Sequence, residues 1–104
     1  MIQPFSFDEN GINGKASTRV MCMVKSGDFP MSIRWLKDGE ILKNDGSTRK
    51  TVALDDATVI LSLSNLSLDD SGNYTCIASN DAGSMSYSSV LKVKGTYLSN
   101  LLVA

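Results

Sequence analysis

Residues 61–76 read Leu61-Ser-Leu63-Ser-Asn-Leu66-Ser-Leu-Asp-Asp70-Ser-Gly72-Asn-Tyr74-Thr-Cys76. Leu61 and Leu63 alternate with serines, the period of a strand with one buried face. Tyr74, Cys76 and Ala78 repeat that period beyond Asp70-Ser-Gly72, so two strands meet at a corner. The only other cysteine, Cys22, lies 54 positions before Cys76, and the only tryptophan, Trp35, falls between them.

Outward from this stretch the same period recurs, and no long helical stripe competes with it, which makes the chain all-β. Ile2–Phe7 reads as a first strand, with Pro4 confining it to a sheet edge or a kink. Asn10-Gly-Ile-Asn-Gly14 is a turn-rich break where that strand can change sheets. Thr18, Val20, Cys22 and Val24 are an inward set, against outward Arg19, Met21, Met23 and Lys25. Ile33 and Trp35 face inward on the next strand, which turns at Lys37-Asp-Gly39. Glu40–Lys43 is a short strand and Arg49–Leu54 a longer one. Val59, Leu61 and Leu63 point inward against outward Thr58, Ile60 and Ser62. A final strand covers Met85–Lys94, with Leu91 and Val93 in the core.

The chain has 104 residues and 42% hydrophobic content, enough for one core. Residues 1–94 are read as a single domain and 95–104 as a tail: a linker stub, a remnant of cloning, or an added edge strand. The net charge of −1 offers no basic field for nucleic acid or acidic lipid, and lets two copies approach without strong repulsion. Met1 is not followed by a signal-peptide pattern, and no apolar run is long enough to cross a bilayer. The reading is of a module cut from a longer chain, making no membrane contact of its own.

Catalysis is not expected. The chain contains no histidine, which excludes Ser/His/Asp and Cys/His nucleophile arrangements and histidine metal sites. No glycine-rich phosphate loop occurs. The carboxylate pairs Asp55-Asp56 and Asp69-Asp70 are read as solvated turns rather than calcium ligands. No catalytic residue, metal or cofactor is assigned.

The pattern Leu61-x-Leu63-x-x-Leu66-x-x-x-Asp70-x-Gly72-x-Tyr74-x-Cys76, with Cys22 and Trp35 before it, resembles the I-set immunoglobulin signature of neural adhesion molecules. Ile2-Gln-Pro-Phe-Ser-Phe7, Ser26-Gly-Asp-Phe-Pro30 and Trp35-Leu-Lys-Asp-Gly-Glu40 resemble the Dscam-type adhesion proteins of arthropods, including their shortened forms. The likeness covers residues 2–94. It implies an immunoglobulin-like two-sheet sandwich with one inter-sheet disulfide, Cys22–Cys76. Two cysteines alone are equally compatible with free thiols; the surrounding framework favours an oxidised pair outside the cytosol. A cross-link of this span is worth about 4 kcal/mol. Trp35 packs against it, with Leu61 in the core. Tyr74 buries its ring and sends its hydroxyl to the backbone at a corner built by Asp70 and Gly72. Arg49 is the candidate ion-pair partner of Asp70. The 26 positions between Trp35 and Leu61 leave room for two short strands, which fits the I-set type.

The resemblance implies cell adhesion by homophilic recognition, on an extracellular, membrane-anchored protein. A binding face is expected where apolar side chains stand at solvent-facing positions. Met21, Met23 and Ile60 meet that condition on strands that neighbour one another in this fold, with Arg19, Lys25, Thr58 and Ser62 as the polar rim. Apolar residues tolerate meeting their own copies at a two-fold axis, whereas like charges do not. The expected partner is a second copy of the chain, a homodimer between cells. A rival patch, Arg34, Leu36, Thr75 and Ile77, lies on the opposite sheet. Two N-x-S/T triplets, at Asn65 and Asn73, are candidate glycosylation sites. The alternatives are a receptor domain for a different protein and a passive spacer in a multi-immunoglobulin array.

Overall fold

The computed structural model describes residues 1–27 and 29–95; all but the first residue of the expected tail at 95–104 falls outside the described residues. Nine strands appear among them: β1 (Ile12–Asn13), β2 (Thr18–Met23), β3 (Ser32–Lys37), β4 (Glu40–Ile41), β5 (Arg49–Asp55), β6 (Thr58–Leu63), β7 (Gly72–Asn80), β8 (Gly83–Leu91) and β9 (Val93–Lys94). One sheet runs β2-β6-β5, the other β4-β3-β7-β8, and β1 pairs with β9. The two larger sheets are antiparallel throughout, whereas the β1–β9 pair is parallel.

Alternating residues of both sheets supply the core. Cys22, Leu61, Leu63, Trp35, Tyr74, Cys76 and Leu91 are almost wholly removed from water. Cys22 and Cys76 are bonded, their Cα atoms 6.1 Å apart, tying β2 of one sheet to β7 of the other. A second tie is polar: the Trp35 indole N–H donates across the core to the Val59 carbonyl at 3.2 Å. That bond satisfies a donor that burial would otherwise leave unpaired.

The corner at residues 67–74 is closed by hydrogen bonds. The Tyr74 hydroxyl donates to the Asp70 carbonyl at 2.6 Å. Asp70 Oδ2 accepts the Ser67 N–H at 2.8 Å across a short 3-10 turn, Leu68–Asp70. Its Oδ1 lies 3.3 Å from Arg49 Nη2. Burial first, then the nearby Asp70 carboxylate, pushes the Tyr74 pKa up to about 12. Gly72 is required by a close approach: a Cβ there would lie 2.8 Å from Asp38 Oδ2. Asp38 in turn accepts the Asn73 N–H at 2.9 Å. Asp38 and Gly39, both at positive φ, form the two-residue hairpin between β3 and β4.

The first expected strand, Ile2–Phe7, is reduced to one bridge between Ile2 and Val24, with bonds from Gln3 to Met23 and from Lys25 to Met1. Pro4 follows these contacts and has no N–H with which to extend a ladder. The segment is held instead by its side chains. Phe5 packs edge-on against Trp35 and Tyr87, each with centroids 4.9 Å apart, and Phe7 against Tyr74 at 5.5 Å. The chain then reaches the other sheet's margin, where Ile12 and Asn13 pair with Val93 and Lys94.

Candidate functional site

The outer face of the β2-β6-β5 sheet is organised by register. Ile60 on the central strand pairs with Met21 on one side and Val52 on the other. Cross-strand partners share a face with Cβ atoms about 5 Å apart. Met21, Ile60 and Val52 therefore form an unbroken apolar row across three strands. Met21 is 41% exposed and Val52 50%, while Ile60 is half-buried between them. Leu54, at 62%, continues the apolar surface beside a register shift between Ala53 and Asp55. On one flank runs the row Arg19–Ser62–Lys50, and on the other Met23–Thr58–Asp55.

The structure brings Arg19, Met21, Met23, Ile60 and Ser62 onto this face, with exposed Lys25 just beyond the end of β2. Thr58 requires correction. It was expected in the solvated rim, but it is only 3% exposed. It is a small residue on the central strand, flanked by Met23 and Asp55 beside the bulge, and its neighbours on both sides cover it. Met23 is half-buried, which leaves Met21, Val52 and Leu54 as the accessible apolar members of the patch. Sequence reasoning missed Val52 and Leu54, because residues 49–54 were read as a strand without a face. The alternation of Lys50, Val52 and Leu54 carries the signal, but only pairing with β6 shows which side meets solvent.

At the start of β5 the sheet edge is capped by side chains, at Arg49 and Thr51. Asn44 Oδ1 accepts the Thr51 N–H at 2.6 Å and its hydroxyl at 3.1 Å. Asp45 Oδ1 accepts the N–H groups of Arg49, Thr48 and Ser47. These bonds, led by Arg49 and joined by the Thr48 hydroxyl, hold the Asp45 carboxyl well below the usual range. Side chains thus occupy donors that an incoming strand would need.

The opposite sheet arranges its apolar residues differently. Leu36 pairs with Ile41 and Thr75, and Thr75 with Ser88, their hydroxyls 2.7 Å apart. Arg34 pairs with Ile77, and Ile77 with Ser86. The rival patch of Arg34, Leu36, Thr75 and Ile77 is thus assembled, but each row is interrupted by polar groups. Asn73 is exposed on β7 directly across from Val90, and Asn65 is exposed in a turn at φ 49°. No cluster of three or more carboxylate or cysteine side chains suited to a metal occurs among the described residues.

This geometry defines the class: the profile of the immunoglobulin domain family matches residues 5–80, and the chain belongs to that family, whose members are not enzymes. Among curated relatives, it is 41% identical over 93 residues to the cell adhesion molecule Dscam2 of Drosophila melanogaster. It is 43% identical over 93 residues to the cell adhesion molecule DSCAM of Homo sapiens. Each alignment covers 89% of this chain, which spans about 4% of the length of either relative. Among solved structures, the Ig7 domain of Dscam1, isoform 5, is 34% identical with a TM-score of 0.86, covering 90% of this chain and 95% of that one. The titin I-band fragment I67-I69 is 33% identical with a TM-score of 0.76, covering 90% of this chain and 31% of the fragment.

Proposed function

We propose that this domain is an extracellular adhesion module that pairs with a second copy of itself through the outer face of β2-β6-β5. The observation that carries the reading is the apolar row Met21–Ile60–Val52, continuous across all three strands. The cross-sheet disulfide and the adhesion molecules among the relatives support a cell-surface setting.

Charge placement favours one geometry. In a face-to-face dimer the two-fold axis lies in the interface plane. With the axis along the apolar row, Met21, Ile60 and Val52 each meet their own copies, and the two faces run antiparallel. Lys50 then lies opposite the region of Leu54 and Asp55 on the second copy, an attractive pairing. With the axis along the strands, Lys50 would instead meet Arg19, which is repulsive. The first arrangement buries apolar residues on the axis and keeps the charges off it.

Sedimentation equilibrium over a wide concentration range tests the reading, with reversible dimer as the expected result. Ser62→Asn completes an N-x-S triplet with Ser64 on the same strand, and the glycan it receives in eukaryotic cells should abolish the dimer. A strict monomer at high micromolar concentration refutes self-pairing by this domain. That outcome leaves a receptor domain for a different protein, pairing by multi-domain avidity, or a passive spacer in a multi-immunoglobulin array.

A further inference from the structure

We propose that Asn73 is N-glycosylated and that its glycan covers the outer face of β4-β3-β7-β8, leaving β2-β6-β5 as the open face. This inference rests on the extracellular reading above and deepens it, because it names a device that selects between the two sheets.

The triplet Asn73-Tyr74-Thr75 lies within β7, so alternation sends Asn73 and Thr75 to one side and Tyr74 to the other. Tyr74 is fully buried and Asn73 is exposed, which places the acceptor amide on the outer face. Directly across the ladder stands Val90, the most exposed large hydrophobic residue among those described, at 67%. An apolar side chain at the root of a glycan is covered by the first sugar ring, whose faces carry C–H groups. On the adjoining row lie Thr75, Leu36 and exposed Ile41. A branched oligosaccharide rooted at Asn73 overhangs both rows and excludes a protein partner from them.

Asn65 differs in its surroundings. It follows the end of β6, and the next residue, Leu66, is buried and bonded through its backbone to Ala16 and Lys15. Asn65 thus stands in the connection beyond β6 rather than within a strand of either sheet.

In the transfer, the Asn73 amide nitrogen attacks C1 of an oligosaccharide carried on a polyprenyl pyrophosphate. The C1–Nδ2 bond forms, the C1–O bond to the pyrophosphate breaks, and the amide gives up one proton as the pyrophosphate leaves. No oxidation or reduction is involved.

The test is peptide mass mapping of the whole chain secreted from animal cells, with and without glycosidase treatment. A glycan on Asn73 is expected, lost in Asn73→Gln and in Thr75→Val and retained in Thr75→Ser. Oxidative footprinting of the same protein should show Val90 labelled several-fold faster once the glycan is removed, with Met21 unchanged. A bare Asn73 in protein whose Cys22–Cys76 bond is oxidised overturns the proposal while sparing the extracellular reading. Equal labelling of Val90 with and without glycan overturns the covering. A bare Asn73 with both cysteines reduced overturns the extracellular reading, and the proposal falls with it.

Discussion

Val52→Ala is the sharpest probe of the proposed interface. The substitution deletes two methyl groups from an exposed position on an edge strand, so the fold itself loses little beyond strand propensity, under about 1 kcal/mol. Full burial of a methylene-sized group is worth about 0.8 kcal/mol. Val52 is 50% exposed in the free domain, so part of its area is already out of water. Only about half of the roughly 1.6 kcal/mol for two groups therefore remains to be gained on association. A two-fold interface counts the loss once in each copy, giving about 1.6 kcal/mol per dimer and a Kd weakened slightly more than ~10-fold. Val90→Ala deletes the same atoms from a more exposed position on the opposite sheet and should leave the Kd unchanged. Sedimentation equilibrium of the parent and both variants, with thermal unfolding to confirm the fold, makes the comparison. A Val52→Ala dimer as tight as the parent, or a weakening caused by Val90→Ala instead, would refute the assignment of the face.

Lys50→Glu should weaken the dimer by up to about 1 kcal/mol for each of its two cross-copy pairings. Adding Asp55→Lys should restore much of the loss, as read by the same sedimentation experiment at low salt; no recovery would reject the antiparallel arrangement. Tyr74→Phe leaves the Asp70 carbonyl without its 2.6 Å partner and should cost about 1–3 kcal/mol, measured as a fall in the urea midpoint at constant m. The Tyr74 pKa is raised in the fold, from 10.0 to about 12, so the folded state holds the proton longer than the unfolded chain. The resulting stability is complete below pH 10 and declines as the pH rises toward 12; in Tyr74→Phe that alkaline decline should largely vanish. Reducing Cys22–Cys76 releases a link across 54 positions and should cost about 4 kcal/mol in the loop-entropy account, enough to unfold a marginal domain at 37 °C. Thermal unfolding with and without reductant reads it.

Much of the architecture was legible in the chain because strand period, turn residues and the cysteine–tryptophan–tyrosine spacing are local signals that agree with one another. Inward Cys22, Trp35, Leu61 and Tyr74 follow from alternation, and the Asp38-Gly39 hairpin from the demand for positive φ. The N-terminal segment was less legible: its alternation suits a strand, yet Pro4 withholds a donor and aromatic packing holds residues 5–7 in place of a ladder. The candidate face was half legible. Met21 and Ile60 stand at outward positions of their own strands, and period two is enough to place them there.

The sequence by itself therefore determined the all-β sandwich, its core and its corner, since burial along a strand depends on neighbours one and two residues away. Tertiary structure alone decided that Val52 completes the row beyond Ile60, that Thr58 is covered, and that Asn73 stands across from Val90. Those facts depend on which residues of distant strands are paired, and a shift of one position would send every side chain of a strand to the opposite face.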